Sequence, residues 1–385
     1  MRFTTIELME QVLTISCKLA YTPTQKAQLE RLLKAFAEAC NFVAAQGREH
    51  TISKQFALHK LCYRLVREQF GLSANLAVRA IARVAPRLAK ARTRDSQFAP
   101  TSVDYDARIF TFKESDWSAS LTLLDGREKF FLQPGDYQKD MLKGKQPTSA
   151  VLCKKRGAFF LDIQVRIETD APITPTGMLG VDLGVKNIAT LSDGTVLSSA
   201  ALNAYRRQRH QIRRSLQAKT HKQASRSSKQ NVRRLLQRLS GRESRTVRLA
   251  NHAISKAIVR QAQNAHQAIV FEDLSGIRDR TNRKLRKSQR TLHNAWSFYS
   301  LQQFVEYKAK LAGVPVVKID ARYTSQACHQ CNHIGQRTGE SFKCANCGLD
   351  THADINAARN IATVGAVVTR LADSERLSCV LQHTH

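Results

Sequence analysis

Two cysteine pairs, Cys328-x2-Cys331 and Cys344-x2-Cys347, stand twelve residues apart in a chain of 385. They constrain its folding more than any other feature. Two Cys-x2-Cys knuckles suit a tetrahedral shell of soft thiolates, the ligand set of a closed structural zinc site with no open position for substrate. Four cysteines already satisfy zinc, so His333 and His352 read as ordinary polar residues, while Lys343 and His329 stand close enough in sequence to touch phosphate. Cys17, Cys40 and Cys62 fall within apolar patterns and read as core; Cys153 and Cys379 carry no pattern.

Charge narrows the partner. Lys and Arg number 61 against 31 Asp and Glu, a formal net charge of +30. Such a chain favours a polyanion, because neutralised phosphates release their condensed counterions. Nucleic acid is the preferred polyanion. An anionic membrane competes, but no run of about twenty apolar residues is present. The opening Met1–Glu7 is too polar for a signal peptide, and Met9 offers a second start. A cytoplasmic, nucleoid-associated protein with reduced thiols is expected, long enough for two or three domains.

Local patterns divide the chain. Val12–Ala20 alternates as a strand, and Thr22-Pro-Thr-Gln25 reads as a capping box with Pro23 at the first helical position. Leu29, Leu32, Leu33, Phe36, Cys40 and Val43 then recur at helical spacing. Two more helices are predicted at roughly 53–70 and 73–92, separated by Gly71; their basic outer faces suit solvent or a nucleic-acid groove equally. Ile109–Phe112, Ser120–Leu124, Lys129–Leu132 and Phe159–Val165 predict an antiparallel barrel or sandwich that the first strand completes, with the helices inserted. Pro172 and Pro175 mark a linker, and after about 365 a helix end and loose tail are expected.

Three acids carry the chemistry. Met178–Val185 is an apolar strand interrupted by Asp182, between Gly180 and Gly184; a buried acid there is costly without a cation or a hydrogen-bond donor. Gln267–Leu274 is a second apolar strand, ending in Glu272 and Asp273, and Asp354 precedes a short helix beginning near Asn356. Taken singly these are a turn residue, a polar strand end and a helix N-cap. Together, strand-Asp, strand-Glu and helix-Asp in this order match the ribonuclease H-like plan. Two divalent ions about 3.5–4 Å apart would there activate a water and stabilise the leaving oxygen of a phosphodiester. Between the first two acids runs a basic segment from Tyr205–Arg214 to Arg245–Arg248. Its sparse apolar stripe (Ile212, Leu216, Leu235, Leu236, Leu239) predicts two helices joined by a loop around 219–230. A second basic stretch, Arg278–Arg290, has the composition of a flexible loop, expected to be disordered or to move over the catalytic site.

Gly180–Ala189, Val270–Leu274, Tyr323–Cys331, Cys344–Gly348 and Asp354–Ile361 together resemble TnpB, the insertion-sequence-encoded family related to type V CRISPR effectors. The likeness is specific over about 178–363 and weaker over 10–170. It implies an α/β multidomain protein: a RuvC-like nuclease domain (176–325 and 350–365) with an inserted zinc ribbon (326–349), followed by a tail (366–385). An N-terminal β-barrel wedge domain (1–20 and 95–170) would hold an inserted helical recognition domain (21–94). The implied activity is that of an RNA-guided DNA endonuclease encoded by an insertion sequence, a transposable element, hydrolysing phosphodiester bonds of target DNA, with guide RNA and target duplex bearing a short flanking motif as partners. Asp182, Glu272 and Asp354 match the family's acidic triad, holding two Mg2+, and Cys328, Cys331, Cys344 and Cys347 match its zinc ligands. Asn332 departs from the family, which commonly has Gly there, and is expected to alter the local turn. Other classes compatible with the residues are a guide-directed binding protein or transposition accessory without cleavage, a noncatalytic zinc-ribbon RNA-binding protein, and a compact type V CRISPR effector.

Overall fold

In the computed structural model, which describes residues 10–90, 97–184, 186–220, 225–273, 298–320 and 322–382, the alternating N-terminal stretch is β1 (Glu10–Ala20). Ile15, Cys17 and Leu19 point inward and are buried, while Thr14, Ser16 and Lys18 face out. Thr22 caps α1 (Pro23–Glu49) as the sequence predicts: its hydroxyl accepts from the Gln25 amide at 3.2 Å, and the Gln25 side chain accepts from the Thr22 amide at 3.1 Å. Leu29, Leu32, Leu33, Phe36, Cys40 and Val43 are all buried. α2 (Gln55–Phe70) ends at Gly71, whose φ of 64° is the left-handed turn glycine adopts without strain, and α3 (Ala74–Leu88) follows.

The rest of this unit is β2 (Ser102–Asp106), β3 (Phe110–Lys113), β4 (Ser118–Thr122), β5 (Arg127–Gln133), α4 (Asp136–Leu142), β6 (Ser149–Lys155) and β7 (Ala158–Glu168). The strands form one antiparallel sheet in the order β2-β6-β7-β1-β5-β4-β3. Its two edge strands are consecutive in the chain, and the Tyr105 hydroxyl of β2 donates to the Thr122 carbonyl of β4 at 3.0 Å, so the sheet curls until its ends meet. Of the two arrangements expected, the single curled sheet is the one found. β2, β6 and α4 are absent from the sequence reading. In β2 the acids Asp104 and Asp106 disguise the buried Val103 and Tyr105; α3 supplies their partners, Arg83 to Asp104 and Arg79 to Asp106, each at 2.6 Å.

The second unit begins at Thr169. It comprises β8 (Gly177–Asp182), β9 (Asn187–Leu191), β10 (Val196–Ser198), α5 (Ala200–Ala218), α6 (Arg226–Asn264), β11 (Gln267–Glu272), α7 (Phe298–Leu311) and β12 (Val316–Ile319). Beyond them lie a small sheet, β13 (Gln336–Thr338), β14 (Ser341–Lys343) and β15 (Asp350–His352), and finally α8 (Ala353–Gln382). The central sheet runs β10-β9-β8-β11-β12; β8, β11 and β12 are parallel, and β9 and β10 are antiparallel to their neighbours. The basic segment is the helical hairpin expected, with a shorter connection because α6 already starts at Arg226. The helix expected to end near 365 instead continues to Gln382. Arg278–Arg290 lies outside the described residues. Among those described, no helix is long and apolar enough to cross a membrane.

α8 packs on β8 at backbone contact. A Cβ built on Gly180 would lie 2.0 Å from the Ala358 carbonyl oxygen, and one on Gly365 would lie 2.6 Å from Val270 Cγ2. Gly180→Ala is therefore expected to lift α8 off the sheet and destabilise this unit by at least about 1–3 kcal/mol; urea unfolding of the variant against the parent checks this.

Candidate functional site

Parallel pairing brings two of the predicted acids together. The β8–β11 register aligns Val181 with Phe271, so the next residues, Asp182 and Glu272, stand side by side at the C-terminal ends of neighbouring strands. Asp354 arrives on the first turn of α8, the helix that lies on β8. The Asp182 carboxyl is pushed up to about 7, first by burial and then by the charges of Glu272 and Asp354, with Arg337 opposing. Burial likewise raises Glu272, against the Thr324 hydroxyl that donates to it and the charge of Arg337. Asp273 is exposed.

Asp354 does not cap its helix. Its carboxylate is held by two donors, Arg337 Nη2 at 2.8 Å and Asn187 Nδ2 at 3.1 Å. Arg337, on β13, is thus bonded to one acid and lowers the pKa of the other two. The carboxylates are spread more openly than the thiols: among the described residues, only the four cysteines bring all their ligand atoms within 4.8 Å of one another. Three acids whose pKa values are raised, or whose charge is met by a guanidinium, make an oxygen donor set suited to hard divalent cations.

Asparagines on α8 fix the approach. Asn356, fully buried, accepts from the His329 amide at 2.9 Å and donates to the Ala327 carbonyl at 2.7 Å; Asn360 donates to the carbonyls of Thr324 at 2.8 Å and Ala327 at 2.7 Å. The segment that presents Thr324 to Glu272 is therefore tied to the helix that presents Asp354. Gln302 of α7 donates to the Glu272 main-chain carbonyl at 2.9 Å. Sequence reasoning missed Arg337, Thr324, Asn187 and Gln302: Arg337 and Gln302 lie in no pattern, and Thr324 and Asn187 lie inside quoted motifs without a role assigned to them. Asn356 and Asn360 did carry a signal, since two amides four apart in an Ala-rich helix need buried partners.

The cysteines converge as predicted. Cys328 and Cys347 sulfurs are 3.6 Å apart, and those of Cys331 and Cys344 are 3.5 Å apart. Each knuckle is followed by a left-handed residue, Asn332 at φ 62° and Gly348 at φ 73°. Asparagine tolerates that conformation better than most residues, so the departure at Asn332 leaves a left-handed turn in place. Cys331 is drawn down to about 6, chiefly by the His333 main-chain amide. The Leu349 amide also draws Cys347 down, but desolvation and hydrogen bonds with the other thiols hold it up at about 12. Four thiols this close cannot all ionise without a cation, and the set fits a soft dication. His333 contacts the Cys331 carbonyl and His352 accepts from the Asp354 amide. His329 sits between Asn356 and Arg359, and Lys343 pairs with Asp350 at 3.0 Å, so the two residues read as phosphate contacts are engaged within the protein.

Two family models match the chain: one described as "Probable transposase" over residues 162–277, the other as "Cas12f1-like, TNB domain" over 298–361. TnpB-like protein MJ0751 of Methanocaldococcus jannaschii is 33% identical over 189 residues, 48% of this chain and 67% of that protein. CRISPR-associated endodeoxyribonuclease Cas12f1 of Sulfoacidibacillus thermotolerans is 46% identical over 116 residues, 29% of this chain but only 26% of that protein. A solved Cas12f1–sgRNA–target DNA complex has a protein chain of the same α/β multidomain fold, with a TM-score of 0.67 at 15% identity over 89% of this chain and 83% of that one.

The raised Asp182 carboxyl has a measurable consequence. The unfolded chain releases this proton near pH 4, whereas the folded protein, without added divalent cation, keeps it to about pH 7. The native state thus binds more protons across that window, and stability falls as pH rises through it. Asp182→Asn is expected to remove a loss on the order of a few kcal/mol between about pH 4 and pH 7, read from urea unfolding of both proteins at each pH.

Proposed function

The chain belongs to the TnpB family, and from that membership we propose that it is an RNA-guided DNA endonuclease that cuts target DNA at Asp182, Glu272 and Asp354. The observation that supports this reading is the parallel register that sets Asp182 beside Glu272, together with burial and the charges of Glu272 and Asp354 that push Asp182 up to about 7. Buried carboxylates that repel one another are a standing demand for cations, in a chain whose surplus of basic residues suits phosphate.

In this reading the unit from Thr169 onward is a RuvC-like, ribonuclease H-like nuclease. The five-stranded order with a parallel centre and an acid at the ends of β8 and β11 supports that assignment. The cysteine-bearing segment is its zinc ribbon. The curled sheet is the wedge barrel, and α1 to α3 are the recognition helices inserted in it. Guide RNA pairs with one DNA strand, protein contacts read a short flanking duplex motif, and each strand is cut in turn by the one site. The protein works in the cytoplasm, on the nucleoid.

Asp182, Glu272 and Asp354 would hold Mg2+, and the four cysteines zinc. Bound divalent ions supply an activated water and charge stabilisation at the leaving oxygen. The chain's own groups do the positioning. Thr324 orients Glu272 through its hydroxyl, Asn187 holds one Asp354 oxygen, and Arg337 places a fixed positive charge where a scissile phosphate gathers negative charge.

Alanine at Asp182, Glu272 or Asp354 is expected to abolish Mg2+-dependent cleavage of guide-matched DNA while guide and target binding stay within a few-fold of the parent. EDTA should stop the parent in the same assay, and retained cleavage by Asp182→Ala would refute the assignment. Cys328→Ser and Cys344→Ser should each lose bound zinc by elemental analysis. Each should also lower stability by more than about 3 kcal/mol, seen as an early unfolding transition.

A further inference from the structure

A cavity of about 520 Å³ lies where α5, α6 and α7 meet, remote in sequence from the cysteines and not used by the cleavage chemistry. Its size is that of a small-ligand site. Arg213 of α5 enters it paired to Glu243 of α6 at 2.7 Å, Arg248 of α6 adds a second guanidinium, and Ser244 and Ser300 offer hydroxyls. Phe304 of α7 supplies an aromatic wall. His252 stacks on that ring at 4.2 Å and 17°, and Tyr307 meets it edge-on at 6.0 Å, so the ring is fixed in place. The surrounding charge is positive: His252 is held below its ordinary value by burial and then by the charges of Lys308 and Arg248.

We propose that this cavity is a subsite for one nucleotide of a single-stranded nucleic acid, its base lying against Phe304 and its phosphate on Arg248 and Arg213. A fixed ring, hydrogen-bonding groups and a surplus of guanidinium over carboxylate are what a base joined to a phosphate requires. A free anion would not need the ring, and an apolar ligand would leave Arg248 unused. The subsite rests on the endonuclease reading above and extends it. Ser300 and Phe304 flank Gln302 on α7, and Gln302 donates to the Glu272 carbonyl, so a strand lodged here is anchored on the helix that also holds the strand end bearing Glu272.

The test uses the full chain with single-stranded oligodeoxynucleotides carrying 2-aminopurine at successive positions, and AMP as the free-nucleotide probe. One position is expected to be quenched on binding. Phe304→Leu should restore its emission and weaken binding roughly tenfold. Arg248→Gln, at an exposed position on α6, tests the phosphate contact without touching the packing; it should weaken binding and reduce the salt slope by about one. Quenching that survives Phe304→Leu, or an unchanged affinity and salt slope in Arg248→Gln, overturns the proposal. AMP binding without any quenched oligonucleotide position also overturns it, since it assigns the cavity to free nucleotides. A parent protein that cleaves guide-matched DNA while both variants bind as it does loses only the subsite. One that neither cleaves nor binds oligonucleotides loses the nuclease reading as well.

Discussion

The third carboxylate reaches the other two only because Gly180 has no side chain. Asp182 and Glu272 are placed by hydrogen bonds between parallel strands, which fix their register without help from side chains. Asp354 belongs to a separate helix, 172 residues beyond Asp182 and 82 beyond Glu272, and its position depends on how closely that helix lies on β8. The Ala358 carbonyl sits where a Gly180 Cβ would be. Any side chain there would hold the helix away by its own thickness. Ala357, Ala358 and Ile361 are buried beside this contact, so small residues on the helix answer the missing side chain on the strand.

The cysteines and the carboxylates are joined through Arg337. The knuckles set the small sheet of β13, β14 and β15, and β13 carries the guanidinium that bonds Asp354. Asn356 and Asn360 return the connection from the other side, clamping the segment just before Cys328 to α8. Both clusters hold like charges that water would otherwise separate. Where the groups of either cluster ionise together, a cation would relieve their repulsion. A thiolate cluster that secures a backbone and a carboxylate cluster that faces solvent chemistry thus share one framework.

What the sequence disclosed follows from the range of the interactions. The Thr22–Gln25 box, the buried face of α1 and the two knuckles are written within a few residues, and each forms where expected. Asp182, Glu272 and Asp354 were legible as a group because each interrupts or ends an apolar segment in a recognisable order. Arg337 was not, since a lone arginine in a polar hairpin is ordinary until the acid it meets is known. β2 was hidden for a related reason: Asp104 and Asp106 look like loop residues until Arg83 and Arg79 arrive from α3. The extent of α8 past residue 365 was hidden differently, because Val364, Val367 and Val368 are exposed and leave no polar outer face to mark the helix.

The strand order of the curled sheet also governs how the chain is made. β1 leaves the ribosome first among the described strands, yet its neighbours are β5 and β7, which are not synthesised until residues 127–133 and 158–168. Helices α1 to α3 pack mostly on one another and can assemble during that delay, since their contacts are local. β1 must meanwhile wait with its backbone groups unpaired. Its alternate Thr14, Ser16 and Lys18 keep one flank soluble, so nascent chains pausing before β7 would expose an orphan strand that is half wettable rather than wholly sticky.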